Sequence, residues 1–349
     1  MRKPWITISC IVLFISSASL FLNSCKKQGP SFTGTIVPFV VPAGFPQPAH
    51  NFTDDPLTTE GIALGQKLFY DGSLSKDGKI PCSSCHEQDA AFTTYEHDLS
   101  HGFNHFHTTR NATALSNLAW YYLFNKDGSA SNLNIISEAH ITNPKEMSGN
   151  MNDVISKLNG DQKYKAMFTA AYGNSNISSD KIFTALKQFL LSMVSSNSKY
   201  DKVLKGEASF TPLEKSGYEI FKAKCGSCHA EPMFTDYTYR NIGLPVNPSI
   251  TDYGRYSVTK NRSDSLKFLV PSLRNVALSS YYMHDGRFPS LPKAIEHYRT
   301  GIVKNTTLDP SLTNGIKLTT TEVANLVLFL KTLTDSAYIT DKRFAKPLF

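Results

Sequence analysis

The sequence predicts a mostly α fold of two similar units in tandem, linked by long loops. Three observations predict it. Apolar residues recur at helical spacing in several segments, whereas alternating strand patterns are scarce. The pattern Gly-x-x-(Leu/Ile)-Phe occurs twice, within Glu60–Phe69 and within Glu214–Phe221. Each copy precedes a Cys-x-x-Cys-His pentapeptide: Cys82-Ser83-Ser84-Cys85-His86 and Cys225-Gly226-Ser227-Cys228-His229.

The N-terminus reads as an export signal. Arg2 and Lys3 form a short positive region, Ile6 to Leu22 is an apolar run, and small residues follow. As a membrane anchor the run is at the short end, and its serines dilute it. Leu22-Asn23-Ser24-Cys25 resembles a bacterial lipoprotein box. Residues 1–24 are therefore expected to be a lipoprotein signal peptide, leaving a periplasmic protein anchored through acylated Cys25. Each buried methylene of such chains contributes ~0.8 kcal/mol. Residues 25–50 follow as a tether. Pro38, Pro42, Pro46 and Pro48 forbid a continuous helix there, so it is expected to be extended and partly flexible.

Helices come next. Glu60–Phe69 and Glu214–Phe221 each follow a Thr-containing turn, and the glycine of each allows another helix to approach closely. Ser179 to Val194 puts Ile182, Ala185, Leu186, Phe189, Leu190 and Met193 on one face. Thr319-Thr320-Thr321-Glu322 has capping-box form and opens a helix striped by Val323, Leu326, Val327, Leu330 and Leu333. Lys331 sits near its C-terminal end, where the helix dipole favours a cation. The duplicated pattern divides the mature chain into residues 51–205 and 206–349.

Each pentapeptide reads as a c-type haem attachment site. Two cysteines bond to the haem vinyl groups and the histidine sits under the iron. Four of the six cysteines lie in these motifs, and Cys10 and Cys25 lie in the leader region, so none remains for a structural disulfide. Zinc knuckles are the main rival, but their CxxC pairs usually lie about 15–20 residues apart. These two are much further apart, and each has its own histidine. The two units are thus expected to be cytochrome c-type haem domains with long ligand-bearing loops. The net charge is +7, and two of those charges belong to the leader. No basic run appears, so nucleic acid is not expected as a partner.

The remaining motifs carry a family resemblance. They are Pro42-Ala43-Gly44-Phe45-Pro46, Leu64 to Asp71, Leu74-Ser75, Arg110-Asn111 and Asn143-Pro144-Lys145-Glu146-Met147. Val270 to Leu278 and Tyr282-Met283-His284-Asp285-Gly286-Arg287 complete the set. In this order, from about Val41 to Leu333, the chain resembles the bacterial diheme cytochrome c peroxidase and MauG family. The resemblance implies an oxidoreductase with two covalent haem c groups. The haem on His86 would meet hydrogen peroxide, and the haem on His229 would store and relay electrons. The electron donor would be a small periplasmic cytochrome or cupredoxin, and a homodimer is left open.

By position, Glu146 matches the family's catalytic glutamate. A group that takes and returns a proton in this way contributes ~10²–10⁴-fold. Tyr298 matches the distal ligand of the second iron in the MauG type, with Met283 as its rival. His101, in a loop that also holds His97, His105 and His107, is the candidate removable ligand of the first iron. Calcium is implied between the domains, held by Asn111 and the carbonyls of Ser279 and Tyr281. Some positions depart from the pattern. Lys126 stands where the family often has a relay tryptophan, and Ile136 and His140 replace a glutamine and a proline. Two alternatives to a peroxidase follow: a MauG-like oxidase of a protein substrate, and a pure diheme electron carrier. Glu146 argues against the carrier.

Overall fold

The structure is a computed structural model that describes residues 33–348. The signal peptide, Cys10 and Cys25 lie outside the described residues. Among the described residues, no helix is long and apolar enough to cross a membrane. The chain is mostly helical. Its helices are α1 Thr59–Phe69, α2 Leu133–Thr142, α3 Met151–Asn159, α4 Gln162–Tyr172, α5 Ser179–Ser192, α6 Lys199–Leu204, α7 Pro212–Lys224, α8 Tyr256–Thr259, α9 Leu291–Glu296, α10 Thr320–Lys331 and α11 Ser336–Thr340. Among the described residues, strands are confined to two short antiparallel pairs. Ile36–Val37 (β1) pairs with Leu57–Thr58 (β2), and Tyr239–Arg240 (β3) with Phe268–Leu269 (β4).

The expected helices form, although α5 stops at Ser192 and α10 at Lys331, so Met193 and Leu333 lie just beyond their ends. The Thr58 hydroxyl accepts from Gly61 N at 3.1 Å and caps α1. Capping boxes open α7 (Thr211 with Glu214) and α10 (Thr319 with Glu322). Pro212 stands in the first turn of α7, where a missing N–H costs nothing. The apolar face of α5 buries Ile182, Ala185, Leu186 and Phe189.

Two helix crossings organise the molecule, and they are alike. At Gly65 of α1, a Cβ would fall 2.0 Å from the Ala185 carbonyl oxygen and 2.9 Å from Phe189 Cβ. At Gly217 of α7, it would fall 2.0 Å from the Asn325 carbonyl oxygen and 2.9 Å from Phe329 Cβ. Only glycine lets each pair approach so closely. The likeness continues past the helices. Asn117 and Asn275 both take left-handed φ, of +60° and +61°, and each opens a short 3₁₀ turn. The side-chain oxygen of Asn117 receives Ser195 N at 2.9 Å, and that of Asn275 receives Asp335 N at 2.8 Å. Bridges Phe124–Ala130 and Tyr282–Phe288 then enclose Gly128 and Gly286, both at φ +71°.

Each crossing has its own core. One gathers Phe69, Phe92, Phe168 and Phe189; the other gathers Tyr200, Phe221, Phe234 and Phe329. The C-terminal residues return to the first core rather than the second. Tyr338 and Phe344 are buried there, Tyr70 Oη donates to Phe344 O at 2.7 Å, and Gln66 Nε2 donates to Ala345 O at 2.6 Å. A buried bidentate pair fastens α6 to the second core: Arg274 reaches Asp201 at 3.0 and 2.9 Å.

The stretch expected to be a partly flexible tether is corrected in its described part, residues 33–50. It is extended but fastened. Phe39 stacks on Phe52 at 3.9 Å, Phe45 meets Trp120 edge-on at 5.3 Å, and Trp120 Nε1 donates to Pro46 O at 2.8 Å. Prolines prevent a helix there, but the aromatics between them have a groove to fill.

Candidate functional site

Both pentapeptides fold as a tight turn. In the first, Cys85 N and His86 N donate to Cys82 O at 3.2 and 3.1 Å. In the second, Cys228 N and His229 N donate to Cys225 O at 3.2 and 3.0 Å. None of the four cysteines forms a disulfide. Burial pushes the Cys82 and Cys225 thiols up to about 12.

The two histidines are oriented alike. His86 Nδ1 donates to Phe92 O at 2.9 Å, and His229 Nδ1 to Phe234 O and Pro271 O, both at 3.1 Å. Phe92 and Phe234 adopt left-handed φ of +60° and +56°, strained for bulky residues. In both cases the reversal aims a carbonyl at the ring. Burial holds His86 down at about 4 and lowers His229 as well. Each imidazole is therefore neutral, with its proton on Nδ1 and a lone pair on Nε2. That is the arrangement an iron ligand needs.

A largely apolar cavity of about 390 Å³ lies against the second motif. Cys225, Cys228, His229, Leu291, Leu326 and Tyr298 are among its walls. Thiols, a lone-pair imidazole and an apolar slot together fit a covalent haem. Tyr298 sits on a single π-helical turn, His297–Gly301, that continues α9. Such turns gather at functional positions. Its hydroxyl has no hydrogen-bond partner among the described residues. Burial, and then the Cys225 and Cys228 sulfurs, push its pKa well up. Met283 lines the same cavity, with φ +74°.

Glu146 stands beside the first motif, and its charge is felt at Cys82 and at His86. Pro144 ends α2, and the turn that follows folds the glutamate back. Glu146 N donates to Asn143 O at 3.0 Å, and Asn143 Nδ2 donates to Glu146 Oε1 at 2.9 Å. His140 Nδ1 donates to the other carboxylate oxygen. Burial would lower the His140 pKa, but the Glu146 hydrogen bond and charge outweigh it and the pKa is raised. This pairing is the functional feature the sequence reading missed. The signal was the substitution of histidine for proline three residues before Asn143.

Residues 59–209 match the family model for the di-haem cytochrome c peroxidases, which includes MauG. The methylamine utilization protein MauG of Methylophilus methylotrophus is 30% identical over 91% of this chain and 95% of its own. The chain belongs to this family.

Among its other relatives is the cytochrome c551 peroxidase of Nitrosomonas europaea. It is 32% identical over 80% of this chain and 81% of its own. A crystal structure of a MauG-like protein associated with microbial copper homeostasis superposes with a TM-score of 0.81 at 30% identity, covering 89% of this chain and 99% of that one. Membership in a di-haem family implies two haem c groups and oxidoreductase chemistry.

Several residues singled out in this di-haem chain fall together. Asn111, Ser279, Tyr281 and Lys126 all line the large cavity. Asn111 Nδ2 donates to Asp98 O at 2.9 Å, Ser279 Oγ to Tyr281 O at 2.9 Å, and Tyr282 Oη to Ser279 O at 2.5 Å. Each of those carbonyls keeps a second lone pair. Burial, and then the Arg110 charge, bring the Lys126 amine down to about 8. His101 differs from the expectation. Its ring is exposed and packs against His97 at 4.5 Å and His107 at 4.4 Å. No three His, Cys, Asp or Glu side chains among the described residues are arranged to hold a metal ion. The contribution of this loop is through its backbone, since Phe103 N donates to Glu146 O at 2.6 Å.

Proposed function

We propose that this chain is a periplasmic diheme peroxidase that reduces hydrogen peroxide to water with electrons from a small c-type cytochrome or cupredoxin. The observation that carries the proposal is Glu146, held by Asn143 and His140 beside the first attachment motif. When bound, the haem irons supply peroxide binding and electron storage. The chain supplies the rest. His86 and His229 present unprotonated Nε2 atoms, Cys82, Cys85, Cys225 and Cys228 form the thioethers, and Glu146 moves the proton between peroxide oxygens. Residues 51–205 form the peroxidatic half and the following residues the electron-storing half.

Tyr298 is the proposed distal ligand of the second iron. Its half-buried side chain walls the cavity at the second motif, and a cation beside the hydroxyl would offset the desolvation that keeps it neutral. The same residue supports a second reading, a MauG-like oxidase of a protein substrate, because tyrosinate favours ferric and higher-valent iron. Calcium on Asn111 and the Ser279 and Tyr281 carbonyls belongs to the proposal. So does lipid anchoring through Cys25.

The test is steady-state peroxide turnover by the exported protein with a reduced small cytochrome, with and without calcium. A pyridine haemochrome assay should count two c-type haems per chain. Rapid cytochrome oxidation supports the peroxidase. Peroxide consumption that leaves the cytochrome reduced and oxidises a protein partner supports the MauG-like reading. One haem per chain refutes both.

A further inference from the structure

The two halves repeat in a fixed register beyond their helices. The same offset separates Asn117 from Asn275, Phe124 from Tyr282, Ala130 from Phe288, and Leu133 at the start of α2 from Leu291 at the start of α9. Carried forward, the same sequence offset aligns His140 of α2 with Tyr298 on the π-helical turn that continues α9. Tyr298 walls the cavity at the second attachment motif. His140 therefore occupies the matching place at the first motif, and its charge is felt at His86.

The imidazole is held in one orientation. Nδ1 donates to one oxygen of Glu146, whose other oxygen takes Asn143 Nδ2 at 2.9 Å. Nε2 is left with its lone pair and no partner among the described residues. The His140 side chain is 45% exposed, against 23% for Glu146, so it is the more accessible member of the pair.

We propose that His140 Nε2, backed by the Glu146 carboxylate, is the atom that exchanges the proton with peroxide at the first haem site. This rests on the peroxide chemistry proposed above and reassigns Glu146 from proton carrier to orienting partner. With haem bound, Nε2 would take a proton from one peroxide oxygen and return it to the other. The O–O bond would then break, the protonated oxygen leaving as water and the remaining oxygen becoming the second water. The electrons come from the reduced donor, and the balance is H2O2 + 2 e− + 2 H+ → 2 H2O. A carboxylate behind an imidazole makes it a stronger base than burial alone would allow. The charged or titratable groups facing His140 are Glu146, from the turn after its own helix, and His86, from the first motif.

The test compares the ferric diheme protein with His140→Leu, His140→Gln and Glu146→Gln. Cyanide uptake is followed against pH, because hydrogen cyanide must lose its proton to a base in the pocket and no turnover is needed. In the wild type the association rate should fall as pH drops through the raised His140 pKa. His140→Leu should lower the rate at least about tenfold and flatten that pH limb. Glu146→Gln removes the charge that raises the imidazole pKa, so its limb should move to lower pH. His140→Gln keeps the side chain polar and similar in size, and it should behave like His140→Leu. It serves as the test if the leucine variant loads haem poorly. Turnover of the His140 variants should fall in parallel, with partial rescue by 2-methylimidazole, a base hindered as an iron ligand.

Cyanide uptake and turnover within threefold of wild type in both His140 variants would overturn the proposal. If Glu146→Gln were inactive at the same time, the proton would belong to Glu146 alone. A resting first haem that is low spin in the wild type and high spin in the His140 variants would also overturn it, making His140 an iron ligand. Absence of peroxide turnover in the wild type would count against the peroxidase reading, while the cyanide data would still decide the role of His140.

Discussion

Glu146 is useful to chemistry because three neighbours hold it: Asn143, His140 and the backbone N–H of Phe103. Glu146→Gln keeps the size but neither carries nor orients a proton. Peroxide turnover should fall about 10²–10⁴-fold, with both haem absorption spectra near those of the wild type. Turnover within about threefold would remove Glu146 from the mechanism. Tyr298 poses a separate residue-scale question, since Met283 shares its cavity. Tyr298→Phe should convert the second haem to a high-spin or water-bound form, and Met283→Leu should leave its spectrum alone. The opposite pattern would make the second haem a His/Met electron store.

At the scale of elements, the two helix crossings matter most. The carbonyls of Ala185 and Asn325 occupy the space that a methyl group would need at Gly65 and Gly217. Backbone cannot step aside as a side-chain tip can. Gly65→Ala and Gly217→Ala should each destabilise the protein by about 1–3 kcal/mol through overpacking, even though alanine is the better helix former. Thermal unfolding of the holoprotein would measure it. An unchanged or raised midpoint in either variant would mean that the crossing relaxes. Each crossing feeds directly into an attachment motif, because Cys225 caps α7 and α1 buries Phe69 beside Phe92. The axial ligation of the adjacent haem, read from its absorption spectrum, is therefore expected to be lost in step with stability.

Across the whole molecule, buried Arg274 pairs with Asp201 of α6, which packs on the second core, and reaches back to Ser195 O at 3.4 Å. Burial alone would raise the Asp201 pKa, but the Arg274 hydrogen bonds and charge, with Ser198, outweigh it and leave it lowered. A folded pKa below the unfolded value of about 3.9 contributes stability above that value, and the contribution is lost as pH falls through the folded pKa. Asp201→Asn leaves the Arg274 guanidinium buried without its counter-charge and should cost about 3–5 kcal/mol. Between about pH 5 and pH 2, the wild type should lose stability more steeply than this variant. Parallel acid-unfolding curves would show that Asp201 is not the linked group. The C-terminal return onto Tyr70 and Gln66 ties the halves together.

Much of this protein was legible from local sequence. The CxxCH turns close within five residues, the cap at Thr319 acts within three, and the Gly-x-x-(Leu/Ile)-Phe copies mark both crossings. Such features depend on neighbours along the chain, so spacing alone reveals them. Family motifs pointed to Glu146 and Tyr298, but what surrounds each depends on contacts that spacing does not encode. His140 read as a departure from a pattern and became the partner of Glu146 only when Pro144 folded the chain back. Residues 33–50 read as a tether because prolines exclude a helix, yet Phe39 and Phe45 find Phe52 and Trp120 across the fold. His101 read as a ligand candidate from its place in a loop, and the fold set it among other exposed histidines. Local sequence determines turns, caps and close crossings. Only the tertiary structure decides which polar side chains meet, because those meetings depend on how separate segments pack in space.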